Sequence, residues 1–460
     1  MTVAEADRRP AGPTRSRRFD GRSEIRRLGY WLIAGASLAV ITSPQGRVGQ
    51  PSYALRQAFH PGHLGKALAV AVAVWALTIL WRTVRDDVRP PVERTRATIR
   101  AGWGNPVLRY ACYAALLALA ILYPWLKFSD YWQGVLVEQI GIYALLAVGL
   151  NIVVGFAGLL DLGYIAFYAI GAYTTAYFTG TLPVQPPFVI NPFYTIPLAT
   201  LAAMIAGLIL GAPTLRLRGD YLAIVTLGFG EIITILAVNL NGITRGSRGA
   251  FGIPSFSVKA FGIDYDFGLA NLPYYYLLLG FAIVALILFH RLENSRVGRA
   301  WTAIREDEVA AQAVGIAPVR YKLMAFAIGA STSGFAGALY ASKIGYINPS
   351  SFTISFSILV LVLVIFGGMG SLAGSVVGAA VLQTVFAHIR EHNGVRLSFI
   401  KLDMDPADIY IYVGALLIIM MIFRPQGIVP SRRRAREIGL AERGIGGADA
   451  MGAPAGSPTS

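Results

Sequence analysis

The sequence predicts an all-α, polytopic integral membrane helical bundle of about 10–12 transmembrane helices. Three observations carry that expectation. Hydrophobic residues make up 55% of the 460-residue chain and charged residues only 14%, against roughly 25% charged in a typical soluble protein. The apolar residues gather into segments, most of them close to the roughly 20 residues that cross a bilayer. The 50 glycines suit the close approach of helices in lipid. The single cysteine, Cys112, lies in an apolar run and excludes an internal disulfide. Residues 1–27 are polar and Arg-rich, without the apolar core and cleavage site of a signal peptide.

In chain order, apolar segments fall near 28–43, 65–81, 107–125, 135–156, 160–179, 192–212, 220–240, 271–290, 321–342, 353–368, 374–389 and 407–423. The first and the 353–368 run are short for a span. With the N-terminus placed in the cytoplasm and the sides alternating, the inside loops hold more than twice as many Lys and Arg as the outside loops. This is the positive-inside pattern. It accounts for the net charge of +15 as orientation rather than nucleic-acid binding, and no aromatic-interleaved basic groove argues otherwise. Both termini and the loop at 291–320 fall in the cytoplasm. Residues 1–106 then form a basic cytoplasmic tail, two extra hydrophobic segments and the linker "RTVRDDVRPPVERTRATIR" (82–100). Residues 107–430 form the denser transmembrane domain. Residues 431–460 form a basic tail rich in Gly, Ala, Pro and Ser at its end.

Enzyme signatures are missing: there is no phosphate-binding loop, no nucleophile elbow and no H-E-x-x-H. His388 and His392 stand four apart, without a third metal ligand in view. Polar residues inside apolar segments read as functional by default, since a charge at mid-bilayer costs roughly 2.5–3.5 kcal/mol on insertion scales. Glu138 lies near a segment start, where it can snorkel. Asn151 either bridges helices or lines a pathway. Asp161 either caps a helix start or belongs to that pathway. Glu231, mid-segment in "VTLGFGEIITIL", either bonds to a neighbouring helix or faces the path. Gly155, Gly158 and Gly163 allow close packing, or a broken helix whose freed backbone groups hold substrate. The Gly-rich "VIFGGMGSLAG" (364–374) reads as a tight inside turn.

One stretch stands apart. "AWTAIREDEVAAQAVGIAPVRYKL" (300–323) puts Arg305, Glu306, Asp307 and Glu308 in a row within helical sequence that runs unbroken to Gly315. Arg305 and Glu308, three apart, are placed to share a helix face. Trp301, Ile304, Val309 and Ile316 are the large apolar side chains of this stretch, and they would be its anchors if it docks onto a partner.

"LNIVVGFAGLLDLGYIAFYAIGAY", "LRLRGDYLAIVTLGFGEII", "GRAWTAIREDEVAAQAVGI", "FGGMGSLAG" and "FRPQGIV" together resemble the LivM-type permease of bacterial branched-chain amino acid ABC transporters. The resemblance covers about residues 107–430. It implies an importer of the bacterial inner membrane that moves hydrophobic amino acids. This chain would pair with a LivH-like permease subunit as a heterodimer, with two cytoplasmic ABC ATPase subunits and a periplasmic amino-acid-binding protein. ATP and Mg would sit on the ATPases, with no cofactor, metal or catalytic residue on this chain. The charged stretch is similar to the cytoplasmic "EAA---G" loop that docks ABC permeases onto their ATPases. Ala310, Ala311 and Gly315 match its spacing, while Val309 takes the Glu position and the usual downstream Ile-x-Leu-Pro is absent. Arg299, Trp301, Arg305, Glu306, Asp307, Glu308, Ala310, Ala311 and Gly315 are thus the candidate ATPase-coupling loop. Asn151, Gly155, Gly158, Asp161, Tyr164 and Glu231 are the candidate translocation pathway. A urea or short-chain amide ABC permease shares these motifs. An ion-coupled secondary transporter would instead need a titrating Asp161 or Glu231.

Overall fold

The computed structural model describes residues 129–214, 220–260, 263–268, 270–391, 394–397 and 400–403, together with residues 72, 118, 120–125 and most of 413–429. Contacts divide the chain into Met1–Leu119 and Ala120–Ser460, and the architecture below is that of the second unit. The expected segments at 28–43 and 65–81, the linker, residues 431–460 and His392 lie outside the described residues, apart from Val72 in the second segment.

Ten helices of six residues or more build the described part. Helix α1 (Asp130–Phe156) contains two π-helical stretches, Val135–Gly141 and Ile152–Phe156. There follow α2 (Tyr164–Phe178), α3 (Pro192–Thr214), α4 (Asp220–Asn239) and α5 (Asn271–Glu293). Two short helices come next, α6 (Arg296–Glu306) and α7 (Glu308–Ala313). Then come α8 (Pro318–Ile344), α9 (Ile354–Gly367) and α10 (Leu372–Glu391). Three small antiparallel strand pairs link the ends: Ala250–Phe251 with Tyr346–Ile347, Ser257–Ala260 with Ile263–Asp266, and Gly394–Leu397 with Ile400–Asp403.

Helix α8 is the hub, and small residues explain why. Gly329, Ser333 and Gly337 form one ladder four residues apart. A Cβ at Gly329 would press on Val153 of α1, Ser333 donates to the Tyr164 carbonyl, and Gly337 lies against the Tyr168 carbonyl of α2. One residue further round, Ala330 and Gly334 meet Gly207, Ala199 and Ala203 of α3. Backbones approach this closely only where side chains are small, and that contact replaces the hydrophobic drive that lipid does not supply.

Among the described residues, five helices are long and apolar enough to cross a membrane: α1, α3, α4 (as Tyr221–Asn239), α5 and α8. The number rises to six if α9 and α10 count as one broken span. The expected 353–368 and 374–389 segments are α9 and α10, which bend by 117° at their break. The turn expected at 364–374 is there, at residues 368–371. Helix α2, at 15 residues, is about 22 Å long at 1.5 Å per residue, short of a roughly 30 Å hydrocarbon core. It is buried along most of its length, so in the expected 160–179 segment the neighbouring helices cover α2. The break expected between Gly155 and Gly163 is present: no helix runs through 157–163.

Candidate functional site: the charged loop meets the broken helices

Serine at position 295 starts the loop. Its hydroxyl accepts from the Val297 and Gly298 amides at 3.1 and 3.4 Å and so caps α6. The inward stripe of α6 is Gly298, Trp301 and Ile304, all buried. The Trp301 indole donates to the Tyr321 carbonyl of α8 at 2.7 Å. Trp301 and Ile304 thus anchor the loop to its own bundle and not to a partner, which corrects half of the expected anchor set.

The charged row does not form one helix face. Asp307 is extended, with φ −154° and ψ 111°, and breaks the helix. Its carboxylate accepts from the Val309 and Ala310 amides at 2.8 and 3.0 Å and caps α7. The expected run of helix to Gly315 fails here because a short acidic side chain competes for backbone donors and favours a cap over a helix interior. Arg305 and Glu308 consequently diverge. The Arg305 guanidinium donates to the Gly155 carbonyl in the last π turn of α1. Glu308 pairs with Lys322 of α8 at 2.8 Å, where the lysine side chain is only 7% exposed. Glu306, Asp307, Val309, Ala310, Gln312 and Val314 remain exposed, Val309 at 62% and Val314 at 76%. Arg299 is exposed, and its guanidinium reaches the Asn294 carbonyl. Ala311 is buried and Ile316 half-buried. At Gly315, φ is +85°, a conformation that favours glycine, and the chain turns there into Pro318, the first residue of α8.

Two of the six pathway candidates, Gly155 and Gly158, meet Arg305, and Asn151, Asp161 and Tyr164 lie in or beside the same break. Gly158 has φ +70°, and a Cβ there would enter the Arg305 side chain. Asn151, fully buried, accepts from the Gly370 amide at 2.8 Å, so the break after α1 touches the break between α9 and α10. Gly155 leaves room for that bond, since a Cβ on it would collide with the Asn151 carboxamide. Asp161 is buried and accepts from the Gly163 amide at 2.9 Å. The residue that caps α2 is Gly163, with no side-chain bond, so Asp161 orders the approach to the helix and does not cap it. Tyr164 is buried and donates to the Gly329 carbonyl at 3.1 Å. The Asn151 Nδ2 and Asp161 Oδ2 atoms are buried without a hydrogen-bond partner among the described residues. Glu231 stands apart, half-buried on α4, with no hydrogen bond or ion pair among the described residues. Lys343, whose ammonium lies 5.1 Å from the Tyr274 ring centre, is the nearby cation for Glu138.

Sequence reading missed two contributors. Lys322 had no pattern linking it to Glu308. The terminal "RPQGIV" resembled the family but was not seen to pack on the Gly-rich turn. In the structure the Ile428 and Val429 amides donate to the Phe366 and Gly367 carbonyls at 3.0 and 2.9 Å.

The family described as branched-chain amino acid transport system / permease component matches residues 135–423, a stretch that holds the α1 break, the candidate coupling loop and the Gly-rich turn. The chain belongs to this permease family. It is 38% identical over 354 residues to the high-affinity branched-chain amino acid transport system permease protein LivM of Escherichia coli K12, covering 72% of this chain and 77% of that one. It is 25% identical to the probable LivM permease of Methanocaldococcus jannaschii, over 64% of this chain and 91% of the relative. It is 27% identical to the LivH permease of E. coli K12, over 62% and 91%. No solved structure matches. The permease is thus a multi-pass membrane protein of a transport family, and Arg305 joins its two groups of candidate residues.

Proposed function

We propose that this permease is the LivM-like subunit of an ATP-driven importer of branched-chain amino acids. It pairs with a LivH-like subunit, takes substrate from a periplasmic binding protein and is powered by two cytoplasmic ATPases that carry ATP and Mg. The chain itself holds no cofactor, and its termini and the loop at 291–320 face the cytoplasm.

The observation that carries this reading is the Arg305 contact with Gly155. The exposed side of the loop, Glu306, Asp307, Val309 and Val314, is the face that receives the ATPase. The inward side is tied to α8 through Trp301 and Lys322, and to the end of α1 through Arg305. A push on the loop therefore reaches both the hub helix and the break that touches Gly370. Charged groups on such a docking face set register and partner choice more than raw affinity.

The test is reconstitution of the complete assembly in proteoliposomes, with uptake of labelled leucine, isoleucine, valine and urea measured alongside ATP hydrolysis. Leucine-type uptake that requires ATP supports the reading. Uptake of urea alone would move the substrate to the amide class. Uptake that survives loss of the ATPases and follows an imposed pH gradient would sink the ABC mechanism.

A further inference from the structure

We infer that the outward face of α4 is the seam with a second, non-identical permease subunit of the same fold, and that Glu231 faces a hydrogen-bond donor or cation of that subunit. This rests on the reading of the chain as one of two permease subunits and goes beyond it by locating the contact.

One side of α4 is spoken for within the chain. Thr226 accepts from the Leu162 amide at 3.0 Å, Gly230 lies against Gly163, and the Thr234 hydroxyl donates to the Phe352 carbonyl at 2.8 Å. The other side is open among the described residues. Tyr221 is 71% exposed and Ile224 64%, and both Ile232 and Ile235 are more than half exposed. In the middle of that row a Cβ on Gly228 would meet nothing within 4 Å.

Open apolar faces also occur on α3, at Leu201, Ile205 and Ile209, and on α5, at Val284, Ile287 and Leu288. Those rows carry no charge, and lipid tails satisfy them. The α4 face differs by one residue. Glu231 is three residues after Gly228 and four before Ile235, so it borders the same stripe. Within the span Tyr221–Asn239 it lies roughly 12–15 Å from either end at 1.5 Å per residue, beyond the reach of a short carboxylate side chain. It has no polar partner among the described residues. A carboxylate held there against hydrocarbon is strongly disfavoured, and such groups face protein or water. Gly228 supplies the second requirement of a helix seam, a small residue that lets another backbone come close.

The occupant follows from the family. E. coli K12 has both a LivM and a LivH relative of this chain, so two permeases of one family exist side by side. Two subunits of one fold joined about a pseudo-two-fold axis present equivalent helices to each other. The α4 face would then meet its counterpart, with Glu231 beside the seam.

The test uses the full assembly in native membranes with Cys112→Ala. A benzophenone amino acid at Ile224 or Ile235 is photoactivated, and the products are identified by mass spectrometry. Both positions should give an adduct with the second permease subunit, and Ile287 on α5 should not. Gly228→Trp should lower recovery of that subunit at least fivefold at an unchanged membrane level of this chain, and Ile287→Trp should not. If Gly228→Trp fails to insert, the adducts alone decide. A wild-type chain that co-purifies with the second permease, but whose α4 positions react only with lipid or with another copy of this chain, overturns the seam and leaves the two-subunit reading standing. A wild-type assembly without any second permease overturns both.

Discussion

Arg305 is the residue on which the site turns. Its methylenes fill the space that a side chain at Gly158 would occupy, and its guanidinium holds the Gly155 carbonyl. A hydrogen bond from a charged donor is worth roughly 1.5–3 kcal/mol, about one to two decades in an equilibrium. Arg305→Ala should leave the permease inserted and the ATPases bound, while ATP-driven uptake falls about tenfold and hydrolysis continues. Arg305→Lys should recover only part of that loss, because an ammonium lacks the planar fork of donors. Uptake of Arg305→Ala within a factor of two of wild type would show that the bond transmits nothing. Gly158→Val attacks the same contact from the other side. It combines a φ of +70° with a collision, and a left-handed conformation alone costs roughly 1–2 kcal/mol for a residue with a side chain. It should lower thermal stability in detergent as well as uptake, and lower stability more than Arg305→Ala does.

At the scale of the element, the loop is two short helices hinged at Asp307, each bound to the bundle on one side. The two acidic neighbours of the hinge are therefore not equivalent. Glu306 is exposed, whereas Glu308 neutralises the buried Lys322. Glu306→Lys should leave folding unchanged and lower co-purification of the ATPases. Glu308→Lys should destabilise the permease itself, since breaking a buried pair leaves an uncompensated charge that costs roughly 3–5 kcal/mol. Equal thermal stability of the two variants would refute that division. Asp307→Ala removes the α7 cap, worth roughly 1 kcal/mol, and should loosen ATPase binding with little effect on the bundle.

The sequence made part of this element legible. Apolar spacing, Ala310–Ala311–Gly315 and the dense charge set this stretch apart as a loop between apolar segments, and its docking role is a proposal. The hinge was missed because an Asp that caps and an Asp that rides on a helix look alike until its neighbours' amides are placed. The same limit explains α9 and α10. Two apolar runs and a glycine turn were readable, but the 117° bend depends on packing against Asn151 and the 427–429 turn. Glu231 was readable as an anomaly. Its lack of an internal partner was not, because that depends on which way α4 turns.

For the whole molecule, the contacts divide the bundle into two ends, and one assignment then orients both. Gly155, Gly158, the loop at 296–317 and the 368–371 turn share one end through Arg305 and Asn151. Ala250, Ile253, Gly345 and Ile347 share the other through the short strand pair and the Ile253–Gly345 hydrogen bond. Helix α2 leaves the Gly158 end and carries the chain to the loop at 179–191. Arg291, Arg296, Arg299, Arg305, Arg320 and Lys322 all fall at or beside the loop end, and an excess of Lys and Arg marks the cytoplasmic side. With Cys112→Ala as background, a cysteine at Pro187 should react with a membrane-impermeant maleimide in intact cells. One at Asp307, exposed on the surface of the loop, should react only after the membrane is permeabilised. The contrast is informative because both positions lie outside the helices, so a difference in labelling reports the side of the membrane and not burial. Labelling of position 307 in intact cells, with position 187 protected, would invert the bundle and place the loop on the side where no ATPase could reach it.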